Sequence, residues 1–89
     1  MLAIANNNKS ILGHIMNLMQ AEIEKEYIVK EISTFDEELN SFLFSLGCYS
    51  GQPITVIAKR KSGLVVAIKD ARYNIDNELA SAIIVQRPL

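Results

Sequence analysis

Apolar side chains recur at helical spacing near the start of the chain, whereas later segments alternate apolar and polar positions. The early set comprises Ile11, Leu12, Ile15, Met16, Leu18 and Met19. With Asn8 or Ser10 as the capping residue, this spacing predicts a short amphipathic helix over residues 9–20. We expect residues 1–8 to fray, as chain ends without packing partners do.

A strand and a well-formed helix are predicted next. Residues 26–33, EYIVKEIS, are rich in the β-branched and aromatic side chains that favour strands. In the segment that follows, Thr34 or Asp36 caps a helix whose acidic first turn complements the helix dipole. Its apolar stripe consists of Leu39, Phe42, Leu43 and Leu46. Gly47 stands where a left-handed C-terminal cap ends a helix.

The rest of the chain is predicted to be mainly strand. The runs PITVIAKR and GLVVAIKD, residues 53–60 and 63–70, are joined by a short link and predict an antiparallel hairpin. A short strand over 72–75, a helical turn over 76–82 capped by Asp76, and a last strand over 83–86 complete the order. This order does not suit βαβ units and predicts a small, strongly bent antiparallel barrel.

The second strand of the hairpin carries apolar residues on both faces. Leu64, Val66 and Ile68 share one face, while Val65 and Ala67 lie on the other. Because a barrel this small fills its interior from one face only, the second set must meet helices, a partner or water. The predicted N-terminal helix and a contact between copies of the chain are the two candidate covers.

Composition narrows the function classes. The 89 residues suit one domain with a small core. A formal net charge of −1 argues against a nucleic-acid binder, which needs positive charge to neutralise phosphates. No apolar run approaches the roughly 20 residues that span a bilayer, and residues 1–10 lack the basic start of a signal peptide. We therefore expect a cytoplasmic protein without direct membrane insertion.

Four segments follow one another at a distinctive spacing. They are L-G-x-x-x-G-x-x-I-x-V-I at 46–57, G-L-V-V-A-I at 63–68, the pair Arg72 and Ile75, and E-L-A-x-x-I-x-V at 78–85. Over residues 26–85 their order resembles the FeoA family, small SH3-like barrels associated with bacterial ferrous iron transport. The chain departs from the family pattern at Cys48, Tyr49 and Ser50, and in residues 1–15, which extend beyond what the family usually carries.

The resemblance implies both a fold and a role. The fold is mainly β with α, an SH3-like antiparallel barrel of about five strands with one helix between its first two strands. An N-terminal helix adds to it, with residues 1–22 as an extension and 23–89 as the domain. The implied role is a non-enzymatic accessory that contacts the cytoplasmic part of the FeoB transporter and requires no cofactor. Similar domains lie at the C-terminus of metal-dependent repressors, where they act as interaction modules.

Candidate chemistry is sparse. The one Cys and the one His, Cys48 and His14, could complete a tetrahedral metal site only with carboxylates or a second chain. A buried structural role is favoured for Cys48, because free Cys usually packs as a small hydrophobe, whereas His14 is expected to be a partly exposed helix residue. The alternating acidic residues Glu22, Glu24 and Glu26 are further candidate ligands for iron or zinc, with incidental binding favoured over a dedicated site. No phosphate-binding loop or catalytic triad spacing is present.

Two segments are candidate contact surfaces for a protein partner. One is the helix-to-strand corner, made of Leu46, Gly47, Cys48, Tyr49, Ser50 and Gly51. The other is the basic hairpin tip, made of Lys59, Arg60 and Lys61, for which a solvated turn is the alternative. Three functions therefore remain open: an interaction module of iron transport, a metal-responsive or metal-binding protein, and a homo-oligomeric scaffold.

Overall fold

A computed structural model describes residues 15–88 as one six-stranded antiparallel sheet with two helices. The strands are β1 (Ile15–Asn17), β2 (Glu26–Ile32), β3 (Pro53–Lys59), β4 (Gly63–Ile68), β5 (Ala71–Asp76) and β6 (Ile83–Gln86), and the helices are α1 (Glu37–Ser45) and α2 (Asn77–Ala82). The strand order is β1-β6-β2-β3-β4-β5, so that β1 and β5 are the edges. The predicted mainly β fold with one helix between its first two predicted strands is confirmed, but the described sheet has six strands in place of about five, and its edges β1 and β5 do not pair to close a barrel.

The predicted N-terminal helix is wrong for residues 15–20. Residues 15–17 form β1, which pairs antiparallel with β6, and a 3-10 turn follows over Leu18–Gln20. Asn17 caps that turn, since its Oδ1 accepts a hydrogen bond of 2.8 Å from the Met19 amide. The edge of β6 supplies backbone partners that helical spacing alone does not reveal. Residues 9–14 of the predicted helix lie outside the described residues.

The segment between β1 and β2 contributes to the hydrophobic core. In this segment Leu18 and Ala21 are fully buried together with the inward side chains of the strands. The predicted boundary between residues 1–22 and 23–89 stays a prediction, although core residues already precede it. The described residues contain no helix long and apolar enough to cross a membrane.

Alternation along the strands fixes the inner face of the sheet, as predicted. Leu64, Val66 and Ile68 are buried, whereas Val65 and Ala67 are half-buried on the outer face. The β3–β4 register shifts by one residue between Val56 and Ala58, and such a bulge bends and twists a strand pair. The short helix α2 is capped by Asp76, as predicted, through a 2.8 Å bond from the Leu79 amide to its Oδ1. These features curve the sheet around its core.

Candidate interaction surface

The corner between α1 and β3 begins with a helix cap that the sequence dictates. Gly47 adopts φ +92°, which favours glycine, and its amide donates to the Phe44 carbonyl at 2.9 Å. The Cys48 amide donates to the Leu43 carbonyl, also at 2.9 Å. Together these two bonds form a Schellman motif, which satisfies carbonyls at the end of α1. Gly47 is therefore the predicted left-handed cap.

The second half of the corner is tied to the sheet. The Gly51 amide donates to the Val29 carbonyl at 2.8 Å, and the Val29 amide donates to the Gln52 carbonyl at 2.9 Å. Gly51 has φ +93°, so the chain can turn sharply there before Pro53 opens β3. Two glycines and two cross-strand hydrogen bonds thus hold this loop in place against β2.

Cys48 lies inside this corner with its thiol buried. Its side chain is 1% exposed, and burial raises the pKa of its thiol from 9.0 to about 11. Thiolates, not thiols, are the nucleophiles and metal ligands. In the Schellman motif the residue after the left-handed one commonly makes an apolar contact with the last helical turn, and both Cys48 and Leu43 belong to the core. The geometry supports a packing role for Cys48.

The raised pKa predicts a particular pH dependence of stability. In the unfolded chain the thiol ionises near pH 9, but in the folded protein it stays neutral until about pH 11. This contribution to the free energy of unfolding is fully present below pH 9 and falls by up to about 3 kcal/mol as the pH rises through that window. Denaturation of the wild type and Cys48→Ala across this range measures it, because other titrating groups cancel in the difference. A constant difference at every pH would contradict the prediction.

Aromatic side chains stand exposed around the corner. Phe42 and Phe44 on α1 are 47% and 64% exposed, and Phe35, just before the helix, is fully exposed. The ring of Phe44 packs on that of Tyr49 with centroids 4.8 Å apart. Lys69 Nζ lies 3.3 Å from the Tyr49 hydroxyl. We call Phe44, Tyr49 and Lys69 the aromatic corner; Phe42, two residues before Phe44, lies on a different face of α1.

The sequence pattern identified only part of this surface. Phe42 was expected in the buried stripe of α1, but the only fully buried residue of that helix is Leu43, with Leu39 and Leu46 half-buried. Of the corner residues, Gly47 and Cys48 are buried, Tyr49 is half-buried, and Ser50 and Gly51 are exposed. The sequence does contain a signal for this exposure: aromatic residues stand on both sides of Leu43, and one face of a helix cannot bury both of them.

The basic tip is exposed but separate from the corner. Lys59, Arg60 and Lys61 lie at the β3–β4 turn, and Lys59 Nζ donates to the Met19 carbonyl at 3.3 Å. Lys69 of the aromatic corner follows the opposite end of β4. Six residues of strand separate the two sites by roughly 20 Å. The two candidate sites therefore do not form one continuous surface.

The candidate metal ligands do not gather among the described residues. Glu22 pairs with Lys25 at 3.2 Å and with Arg87 at 4.0 Å, both exposed. Glu22 and Glu24 precede β2, which begins at Glu26, so the three do not line one strand face as the alternation suggested. Cys48 is buried and His14 lies outside the described residues. Within residues 15–88 no three His, Cys, Asp or Glu side chains converge on a site that could hold a metal ion.

Comparison with known proteins identifies the fold and the family pattern. Residues 16–87 match the model of the FeoA domain. A crystal structure of an iron uptake regulatory protein, FeoA, superposes with a TM-score of 0.73 at 22% identity, covering 81% of this chain and 96% of that one. Stenotrophomonas maltophilia FeoA complexed with zinc, described as a prokaryotic SH3 domain protein, superposes with a TM-score of 0.71 at 18% identity, covering 80% and 89%.

A second group of similar structures consists of transcriptional repressors. A manganese-dependent transcriptional repressor superposes with a TM-score of 0.77 at 24% identity, covering 83% of this chain but 42% of the repressor. At such identities the likeness concerns the fold alone. A comparison with curated proteins found no match.

Proposed function

The chain belongs to the FeoA family, and from this premise we propose that it is a non-enzymatic accessory of ferrous iron transport. Its proposed partner is the cytoplasmic part of a FeoB transporter, and its proposed location is therefore the cytoplasm. The observation that carries the proposal is the aromatic corner, where the exposed ring of Phe44 packs on the ring of Tyr49 at the end of α1. A protein partner would gain affinity by covering these rings, because aromatic side chains dominate binding hot spots.

The remaining features support an interaction module. The corner is fixed by the Gly47 cap and by hydrogen bonds to Val29, so little conformational entropy opposes binding there. The basic tip, Lys59 to Lys61, would meet an acidic part of the same partner and raise the association rate more than the affinity. For divalent metal we propose incidental binding only, since the described carboxylates are exposed and dispersed.

The direct test measures binding of the full chain to the cytoplasmic part of the FeoB transporter from the same organism, in several nucleotide states. We expect Phe44→Ser to weaken binding at least about tenfold, because it removes the exposed ring and its stacking on Tyr49. The matched control is Ile23→Ser, at a side chain 45% exposed that lies before β2 and outside the aromatic corner.

The binding measurement and the variants distinguish two ways in which the proposal could fail. No binding at high micromolar concentration in any nucleotide state would overturn the proposed partner. Binding that Phe44→Ser leaves unchanged would overturn the aromatic corner as the contact site, while leaving an accessory role through the basic tip to be tested by charge reversal there.

A further inference from the structure

The two edges of the sheet differ in what they offer to another chain. β1 is three residues long, whereas β5 runs for six residues, Ala71–Asp76, and pairs with β4 alone among the described strands. Edge strands present backbone donors and acceptors that can pair with another strand. β5 is therefore the edge with the longer row of available backbone groups.

The hydrogen bonds of the β4–β5 ladder show which backbone groups of β5 point away from β4. The Asn77 amide donates to the Ser62 carbonyl at 3.2 Å, and the Gly63 carbonyl turns the other way to accept from Arg60 at 2.7 Å. In an antiparallel ladder, residues whose backbone points to the neighbouring strand alternate with residues whose backbone points away. Counting back from Asn77, the backbone groups of Asp76, Asn74 and Arg72 point away from β4.

The same three residues carry a self-complementary set of side chains. Arg72, Asn74 and Asp76 are exposed and lie on the outer face of the sheet, because their partners across the ladder are Ala67, Val65 and Gly63. A basic residue thus lies on one side of the neutral Asn74, and an acidic residue lies at the same distance on its other side. Edges that avoid association more often carry charges of one sign or inward-pointing charges.

We propose that β5 pairs antiparallel with β5 of a second copy of this chain, about a two-fold axis at Asn74. Arg72 then stands opposite the partner's Asp76, and Asp76 stands opposite the partner's Arg72. Asn74 faces its own counterpart and exchanges two backbone hydrogen bonds with it, and the Asp76 amide donates to the partner's Arg72 carbonyl. Opposite charges placed directly across antiparallel strands stabilise the pair.

The charges select this register over its neighbours. Placing the axis at Arg72 or at Asp76 sets like charges face to face, and placing it at Tyr73 or at Ile75 leaves Arg72 without the partner's Asp76 opposite it. Tyr73 also gains a contact in the proposed register, because it stands opposite the partner's Ile75. Ile75 borders a cleft of about 230 Å³ lined by Arg60, Ser62, Leu64, Asn74 and Asp76 along with Gly63. The cleft leaves room for a ring from the second copy.

Asp76 also caps α2, but the two roles are compatible. The cap uses Oδ1, which accepts from the Leu79 amide at 2.8 Å. A carboxylate has a second oxygen, which can accept from a guanidinium. The inference is independent of the transporter-binding role, since β5 belongs neither to the aromatic corner nor to the basic tip.

The test is sedimentation velocity of the full chain over a concentration series reaching the millimolar range. We expect a monomer–dimer equilibrium in the wild type and about a tenfold or greater rise of the dissociation constant in Arg72→Glu, which places two like-charge pairs across the axis. Asp76→Lys alone should weaken the dimer similarly. Mixing the two variants should restore dimers, because each mixed pair again opposes acid with base.

A backbone variant tests the pairing without charges. Asn74→Pro removes an amide that faces away from β4, so the fold should survive while the dimer is lost, and Asn74→Ala is its control. Circular dichroism of each variant confirms folding. A wild type that stays monomeric throughout the series would overturn the proposal. So would a dimer that Arg72→Glu and Asn74→Pro leave unchanged, since its interface would lie elsewhere.

Discussion

Replacing Gly63 with alanine is expected to lower the free energy of unfolding by about 3 kcal/mol, although it adds only one methyl group. A Cβ at this position would overlap the Ile75 carbonyl oxygen and lie 3.0 Å from the Asp76 Cα. Both obstacles are backbone atoms of β5, so no side chain can rotate to relieve the clash. Relief requires β4 and β5 to separate at the start of their ladder.

Gly51→Ala is the matched control for this prediction. Gly51 has φ +93°, yet a Cβ there would meet nothing within 4 Å. Its cost comes only from the left-handed backbone, about 1–2 kcal/mol. Urea denaturation with an unchanged slope measures both variants on one scale. Equal losses in the two variants would show that β4 and β5 are not as close as described.

Leu43→Ala is expected to cost about 3 kcal/mol and to release α1 before the sheet unfolds. Leu43 is the only fully buried side chain of that helix, and truncating a buried leucine leaves a cavity as well as losing apolar contact. Without it, α1 is held by its half-buried leucines and by its caps. Because Phe42 and Phe44 sit on α1, the same substitution should also weaken partner binding.

Hydrogen exchange distinguishes local from global loss. In Leu43→Ala the amides of α1 should exchange faster than in the wild type by a larger factor than those of β3 and β4. Leu39→Ala is the control, since Leu39 is only half-buried and its loss should cost about 1 kcal/mol. Uniform acceleration in every element would contradict an independently released helix.

Local rules predicted the elements that depend on neighbouring residues. Asp36 caps α1 by accepting from the amides of Glu38 and Leu39, Gly47 ends it, and alternation assigns the buried face of β4. Each of these features is decided within a few residues, where propensity and capping act directly. The family resemblance then supplied the fold, which the match over residues 16–87 confirms.

The features that could not be predicted depend on contacts between residues that are distant in sequence. Residues 15–20 have helical spacing, but β6, some seventy residues later, offers them an edge, and Leu18 is buried under it. Phe42 fits a helical stripe, yet in the structure its side chain is 47% exposed. The corner and the tip as contacts of a partner remain predictions, because a lone chain shows which groups are exposed and not what covers them.

The position of β6 in the sheet bears on how the protein is made. Of the described strands, β6 comes last in sequence yet lies between β1 and β2, so β1 has no partner until residues 83–86 have been synthesised. On the ribosome, β3, β4 and β5 can pair in succession as they emerge, while residues 15–17 must wait for residues 83–86. The sheet is therefore completed only after residues 83–86 have emerged, and until then the edge of β2 is open to chaperones.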